Sequence, residues 1–271
     1  MKLIIQIGLK RSGNHGILNL IKKNFDKTKI VHLNDLQKCT YDQYCHFSNI
    51  EITLNETNNL WAGFKNADLL LISLENKIIN QTLLQELNQI QQPNPNIIIL
   101  LRNPYNNAAS ALQYFLKIGE THAVCTNKYT LMRQLVEQWK IYARFLLSQR
   151  EKNITPIIYD KFYQDEIYRK DVFSNLGLSY DSTYLNQIVG WGQSFFDRNC
   201  KDASKMNIFR RFLYFSDHPF FITKIFRDEE LSLLWENICI KFQMEIDQSL
   251  KDMIAEKRLS LEIQEKGVNA Q

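Results

Sequence analysis

No stretch of this sequence approaches the ~18 uncharged apolar residues that a membrane-spanning helix needs, and no transmembrane segment is expected. The first residues, Met1 to Gly8, carry one basic side chain and a short apolar run. They pass into a polar loop without an A-x-A-like site, so no signal peptide is expected. Cysteine is scarce: five residues, an odd and scattered set, make no disulfide framework and suit a reducing compartment. A soluble, cytoplasmic protein is the expectation. Neither sign of charge dominates, since 33 Lys+Arg against 29 Asp+Glu leaves +4. That balance suits an anionic ligand but does not argue for nucleic acid, and no nucleic-acid partner is expected. Internal repeats and low-complexity blocks are absent as well. What remains is 271 residues, 45% hydrophobic and 23% charged, which excludes disorder, collagen and coiled coil as the main class. Such a chain buries a large core without staples. α/β folds often run to about 250 residues as one domain. The expected partition is a single α/β domain over residues 1–248 and a charged C-terminal helix or tail over 249–271.

Short apolar runs alternate with longer amphipathic stretches. Leu3 to Ile7 is a β-branched run ending at Gly8, the pattern of a buried strand. Ile17, Leu18, Leu20 and Ile21 then recur at helical spacing and stop at Lys22-Lys23. Lys29 to Leu33 and Ala67 to Leu74 predict further strands, and Ile97 to Leu101 is the most apolar of all. Helices are predicted over Leu83 to Ile90 and Asn106 to Lys117, with a turn at Pro93 to Asn96. Beyond them come a long helix over Tyr129 to Glu151, a strand over Ile154 to Tyr159, and a helix over Lys170 to Leu176 stopped by Gly177. Leu231 to Met253 predicts a last helix, after an aromatic and basic stretch over 190–220 that has no clean period. This alternation predicts an α/β fold with a mostly parallel central sheet flanked by helices. Ligands of such sheets bind at the carboxyl ends of the strands, so the loops after Ile7, Leu74, Leu101 and Tyr159 are the informative ones.

The first of these loops, Gly8-Leu9-Lys10-Arg11-Ser12-Gly13-Asn14-His15-Gly16, lies between a strand and a helix. Glycines let the backbone wrap an anion, and the helix N-terminus supplies positive potential. Lys10 and Arg11 add formal charge. The frame G-x-x-x-x-G is present at Gly8 and Gly13, but a Walker A loop then needs Lys and Ser/Thr for the β/γ-phosphates and Mg²⁺. Asn14 and His15 stand in those places. ATP or GTP hydrolysis is therefore poorly supported, while anion binding is expected.

A second site begins where the most apolar strand ends, at Leu101-Arg102-Asn103-Pro104-Tyr105. Arg102 there sits at the ligand edge of the sheet, Pro104 suits the first turn of the next helix, and Ser110 lies about two turns in. Arg102 alone reads more readily as half of a structural salt bridge. Together with the first loop it makes two anion sites on one sheet edge.

On these residues the sequence resembles the sulfotransferases that use 3′-phosphoadenosine 5′-phosphosulfate (PAPS). Arg11-Ser12-Gly13 is similar to their 5′-phosphosulfate loop, P-K/R-S-G-T-T. Arg102-Asn103-Pro104 with Ser110 is similar to their 3′-phosphate motif, R-N/D-P with Ser eight residues after the Arg. Tyr159-Asp160-Lys161-Phe162 is similar to the family's Y-E-D-L segment, and Gly192-Gln193-Ser194-Phe195 resembles its G-S-S-F segment. The resemblance spans about residues 3–200. It implies a P-loop NTPase-like architecture, PAPS as co-substrate with PAP as product, and no metal. Lys10, Arg11, Ser12, Gly13, Asn14 and His15 would meet the 5′-phosphosulfate, and Arg102 and Ser110 the 3′-phosphate. The chain departs from the family where Asn14-His15 replace Thr-Thr and Lys10 replaces Pro. The family's C-terminal R-K-G segment is not found, so its 3′-phosphate contact is either missing or supplied by another cation such as Arg210, Arg211 or Lys205.

Sulfuryl transfer needs a base for the acceptor hydroxyl and cations near the transferring group. The family takes its base from the end of a strand preceding the 3′-phosphate strand, here Ile72 to Asn76, where Glu75 is the titratable residue. An exposed loop carboxylate is the plain alternative. His15 is the rival base and is read first as a cofactor contact, and Arg11 would stabilise charge on the sulfonate. Tyr159 offers an aromatic face for adenine. Trp61 offers another, though core packing explains it better, and His32 to Asp35 face the acceptor or cap a loop. Cys39, Cys45 and His46 have the wrong spacing for a zinc knuckle. Arg198, Lys201, Lys205, Arg210 and Arg211, interleaved with Phe195, Phe196, Phe209, Phe212 and Tyr214, would bind a sugar or lipid acceptor or an anionic surface, or simply cover the core. The expected acceptor is a hydroxyl on a carbohydrate or small metabolite. Two other readings stay open: a divergent P-loop phosphotransferase using Mg²⁺ and ATP, and a catalytically inactive nucleotide-binding or interaction module.

Overall fold

The apolar N-terminal run forms strand β1 (Lys2–Gly8), with Leu3 to Gly8 buried. Burial on both faces is the mark of a strand at the centre of a covered sheet. The computed structural model describes residues 2–25, 29–33, 44–47, 51–53, 67–88, 95–121, 128–186 and 209–268. They fall into two units, Met1–Arg102 with Gln149–Met206 and Asn103–Ser148 with Asn207–Gln271.

The first unit holds the sheet. β1 lies between β5 (Leu69–Glu75) and β6 (Asn96–Leu101), with β2 (Ile30–Leu33) beyond β5 and β7 (Ile154–Ile158) beyond β6. All four of these pairings are parallel. β3 (Tyr44–Phe47) and β4 (Glu51–Thr53) continue the β2 side antiparallel, in a stretch where the sequence predicts no strand. The mostly parallel sheet expected from the alternating pattern is therefore observed. Register brings Gly8 opposite both Glu75 and Leu100, so three strands end together. After β5 the chain crosses β1 to build the other side from β6. That reversal is the point of an open parallel sheet where ligands bind.

Among the described residues this unit carries the α-helices α1 (Asn14–Lys23), α2 (Gln81–Asn88), α5 (Tyr159–Gln164) and α6 (Glu166–Asn175). α1 buries Ile17, Leu18, Leu20 and Ile21 and carries Lys22 and Lys23 in its last turn, where cations favour the helix dipole. The strand expected to run through Tyr159 stops at Ile158. Its β-branched run ends there, and Tyr159 and Phe162, three residues apart, are both buried on one face of α5. α6 starts four residues earlier than the sequence suggests because Asp165 caps it, accepting from Tyr168 N at 3.0 Å. That bond leads the influences holding the Asp165 carboxyl below its ordinary range. Beyond its last turn Gly177 has φ 61°, and Lys2 Nζ donates to the carbonyls of Leu176 (2.7 Å) and Gly177 (2.6 Å). Tyr168 OH meets β7 from outside the ladder, donating to Pro156 O at 2.9 Å and accepting from Ile158 N at 3.1 Å.

The second unit contains α3 (Pro104–Thr121), α4 (Lys128–Ser148), α7 (Glu229–Lys241) and α8 (Gln248–Val268), with a 3₁₀ turn at Arg211–Phe215 and a π-helical turn at Phe221–Phe226. The single helix predicted over Leu231 to Met253 is two. Gln243 takes the left-handed conformation (φ 51°), Met244 N reaches back to Cys239 O at 2.8 Å, and Asp247 starts α8 by accepting from Leu250 N at 3.3 Å. No glycine marks that break, which is why periodicity runs through it. Among the described residues no helix is long and apolar enough to cross a membrane.

α4 and α7 are joined by Lys140. Its buried ammonium lies 2.7 Å from Asp228 Oδ2 and 3.2 Å from both Glu137 Oε1 and Glu230 Oε2. Asp228 also caps α7, accepting from Leu231 N at 2.9 Å. Burial pulls the Lys140 pKa down, but the hydrogen bonds it donates to Asp228, Glu137 and Glu230 outweigh that and leave it raised. Lys140→Ala is expected to cost about 1–2 kcal/mol at neutral pH, seen as a lower thermal midpoint. A raised lysine pKa stabilises fully below the unfolded value, so the deficit should shrink as pH rises through the folded one.

Candidate functional site

Gly8 ends β1, and the chain turns into α1 through Leu9 to Gly13. Three hydrogen bonds from the loop converge on Leu9 O: Ser12 N at 3.2 Å, Ser12 Oγ at 2.6 Å and Asn14 Nδ2 at 3.0 Å. The loop is latched to the end of β5, where Lys10 N donates to Asn76 Oδ1 at 2.8 Å and Asn76 N donates to Gly8 O at 2.9 Å. Two loop residues have positive φ, Arg11 at 68° and Gly13 at 101°. The first bonds of α1 are donated by Gly16 and Ile17, both to Gly13 O at 3.0 and 3.3 Å. The amides of Gly13, Asn14 and His15 precede them at the positive end of the helix.

Asn14 is the hub of the loop. It is 3% exposed. Its second amide proton goes to Glu75 Oε1 at 2.7 Å, and its Oδ1 accepts from Gln6 Nε2 at 2.9 Å. With one proton on Leu9 O and the other on Glu75, the side chain has no donor left for a ligand. The sequence suggests Asn14 as an amide contact to an anion; the structure instead uses its amide to brace the loop against Glu75 and Gln6. Ser12 is likewise turned inward, its hydroxyl on Leu9 O. His15, half-buried, stands on the first turn of α1.

Arg102, only 2% exposed, follows β6 and points its guanidinium at the same loop. Its Nη1 donates to Arg11 O at 3.3 Å, and its guanidinium carbon lies 4.8 Å from the centroid of the Tyr159 ring, a cation–π approach. The ring of Tyr159 lies against Gly13, where a Cβ would come within 2.1 Å of Cε2, and 4.7 Å from the ring of Tyr163. Burial first, then the neighbouring Tyr159, push the Tyr163 hydroxyl well above its usual pKa. Tyr159, suggested by the sequence as an adenine contact, is 8% exposed and serves as the platform under Arg102 and the loop.

In the second unit the first turn of α3 carries a parallel arrangement. Asn103 caps the helix, its Oδ1 accepting from Tyr105 N at 3.0 Å and Asn106 N at 3.1 Å. Asn106 holds the chain entering the 3₁₀ turn: its Nδ2 donates to Phe209 O at 2.6 Å and its Oδ1 accepts from Arg211 N at 2.8 Å. Arg211, buried, extends Nη1 to 3.4 Å from Ser110 Oγ. Of the cations that the sequence offers for the missing C-terminal contact, the described residues place Arg211 beside Ser110. Arg210 is exposed, and Lys205 lies outside the described residues. Asn106 and Asn76 were not legible as site residues. Each acts on a partner distant in sequence, although an Asn directly after a strand or in a first helical turn is a recognisable backbone partner.

Trp61, Asn34, Asp35, Cys39, Gly192 to Phe196, Arg198 and Lys201 also lie outside the described residues, and Cys45 and His46 are placed only as strand backbone. Among the described residues no group of three or more His, Cys, Asp or Glu side chains could hold a metal ion.

No family model matches this chain, and no curated protein is similar to it. Solved structures are. The sulfotransferase domain from the curacin biosynthetic pathway superposes with a TM-score of 0.52 at 13% identity, covering 91% of this chain and 99% of that domain. A sulfotransferase from Alicyclobacillus acidocaldarius gives 0.48 at 12% identity over 91% and 97% of the two chains. Mouse sulfotransferase SULT7A1 complexed with PAP gives 0.47 at 14% identity over 68% of this chain. That last match spans 61% of the mouse enzyme, less than two thirds of its length. On the curacin-pathway domain, the α/β fold of this chain is the sulfotransferase fold.

Proposed function

We propose that this protein is a PAPS-dependent sulfotransferase that sulfates a hydroxyl on a carbohydrate or small metabolite. The observation that carries the reading is the loop between β1 and α1. It has the turn of an anion cradle, but its Walker-lysine position is Asn14, whose amide is spent on Leu9, Glu75 and Gln6. The loop therefore offers backbone amides and the cations Lys10 and Arg11, without the groups a Mg²⁺-nucleotide requires. The donor set suits a phosphosulfate, and the fold is that of enzymes with this chemistry.

PAPS, when bound, supplies the sulfuryl group. In this reading the amides at the start of α1, with Lys10, Arg11 and His15, hold the 5′-phosphosulfate end. Arg11 opposes the charge that develops as the sulfur–oxygen bond to the 5′-phosphate breaks. Arg102 and Ser110 hold the 3′-phosphate, as the motif spacing implies, and Arg211 takes the part of the family's missing C-terminal contact. Glu75 accepts the proton of the acceptor hydroxyl as its oxygen bonds to sulfur, and Asn14 orients that carboxylate.

Calorimetric titration with adenosine 3′,5′-bisphosphate, and in parallel with ADP and Mg²⁺, tests the cofactor class. The bisphosphate is expected to bind more tightly, and Ser110→Ala to weaken it about tenfold by losing one hydrogen bond to a charged group. A preference for Mg²⁺-ADP would overturn the proposal in favour of a phosphotransferase. Binding of neither would leave a scaffold without this activity.

A further inference from the structure

The first turn of α3 is also anchored on a second side, away from the face that carries Asn106 and Ser110. Tyr105 is fully buried, its ring centroid 5.9 Å from that of Phe226, and its hydroxyl lies 2.8 Å from Ser232 Oγ on α7. Ser232 Oγ also lies 3.3 Å from Asp228 O and accepts from Arg258 Nη2 at 2.8 Å, and either hydroxyl of the Tyr105–Ser232 pair can donate to the other. Arg258, on α8, also donates to Phe226 O (2.6 Å) and Asp228 O (3.4 Å), at the end of the π-helical turn and the start of α7. One guanidinium from the C-terminal helix thus fixes a serine, and the serine fixes a tyrosine at the head of α3. Burial pushes the Tyr105 pKa up to about 12, which keeps the hydroxyl a donor at any ordinary pH.

Packing alone does not call for this relay, since a phenylalanine would fill the same space against Phe226. What the hydroxyl adds is direction. Asn106 and Ser110 lie one turn apart on one face of α3, and Tyr105 lies ~100° around the helix from Asn106. A rotation of α3 by ~10° would carry a side-chain tip ~6 Å from the axis through about 1 Å, beyond the ~0.5 Å tolerance of a working site. Asn106 and Ser110 would move together, taking Arg211 with them.

We infer that Arg258 is a positioning residue for the anion contacts of Ser110 and Arg211, acting through Ser232 and Tyr105. The inference rests on the sulfotransferase reading and adds a requirement to it: recognition of the 3′-phosphate depends on the C-terminal helix.

The test compares adenosine 3′,5′-bisphosphate with adenosine 5′-monophosphate by calorimetry in Tyr105→Phe, Ser232→Ala and Arg258→Met, each with its thermal midpoint. Each variant is expected to weaken the bisphosphate about three- to tenfold and leave the monophosphate unchanged. Tyr105→Phe added to Ser110→Ala is expected to weaken binding by less than the two single losses combined, because the Ser110 contact is already gone and only the Arg211 contact remains to be misplaced. Equal weakening of both ligands, additive losses, or unchanged affinity in folded variants would each overturn the inference. If Arg258→Met fails to fold, Tyr105→Phe decides, because it keeps the ring and removes only the oxygen. A wild-type protein showing no advantage for the bisphosphate would sink the sulfotransferase reading and this inference with it. If wild type and Ser110→Ala behave as proposed but Tyr105→Phe does nothing, the inference alone falls.

Discussion

Gly13→Ala is expected to lose binding of adenosine 3′,5′-bisphosphate and to lower the thermal midpoint by about 10 °C. Two costs combine. Gly13 sits at φ 101°, where an L side chain is strained, and its added Cβ would lie 2.1 Å from Tyr159 Cε2. The strain is worth about 1–3 kcal/mol and the overpacking a similar amount, together on the order of 3–5 kcal/mol. Tyr159 cannot yield freely, because Arg102 lies over its ring and Tyr163 beside it. The displaced ring would take Arg102 with it, so the carbonyl of Arg11 would lose its partner and the loop its shape. Thermal unfolding and calorimetry on the same preparation check both halves. Tyr159→Leu in the Gly13→Ala background should recover part of the stability by making room. A Gly13→Ala protein with wild-type midpoint and affinity would mean that the loop is not the packed cradle described here.

The second large effect is on turnover. Glu75→Gln is expected to reduce sulfuryl transfer from PAPS by about 10²–10⁴-fold, the range for losing a positioned base. Affinity for adenosine 3′,5′-bisphosphate should change by less than about threefold. The substitution is mild for the loop, because the Gln amide oxygen can still accept the Asn14 proton that Glu75 Oε1 accepts at 2.7 Å. It removes only the capacity to take a proton. His15→Gln gives the complementary result: weaker cofactor binding with kcat largely kept if His15 is a contact, and the reverse if His15 is the base. Full activity in Glu75→Gln would move the base elsewhere.

Much of this arrangement is legible in the order of residues along the chain. Gly8 and Gly13 frame a loop between a five-residue apolar run and a helical repeat, so its place at the end of β1 follows from local pattern alone. Arg102 reads as a strand-end cation for the same reason. What cannot be read is what these side chains spend their hydrogen bonds on. Asn14 looks like a ligand contact until Gln6, Glu75 and Leu9 close around it, and the pairing of β1 with β5 brings Glu75 there. Tyr159 looks like a stacking surface until α5 and the loop bury it. Arg211 emerges from a stretch without periodicity because Asn106, about a hundred residues earlier, holds its backbone. The break at Gln243 is hidden because a non-glycine residue takes the left-handed conformation. Local pattern specifies most of the elements that carry the loop and Arg102, while long-range polar partners decide several element ends and which exposed-looking groups are in fact used inside.

The contact between Tyr168 and β7 bears on how this chain behaves in company. Among the described residues β7 is the terminal strand on its side of the sheet, and a terminal strand is a template on which another chain can polymerise. A single phenol occupies both the donor of Ile158 and the acceptor of Pro156, two of the groups an incoming strand would seize, and Pro156 has no amide hydrogen to offer. The margin is thereby sealed from within, but only once α6 has docked. A nascent or heat-opened chain in which α6 has come away would expose a sticky border. Whether that border is open to other chains therefore depends on whether α6 is docked.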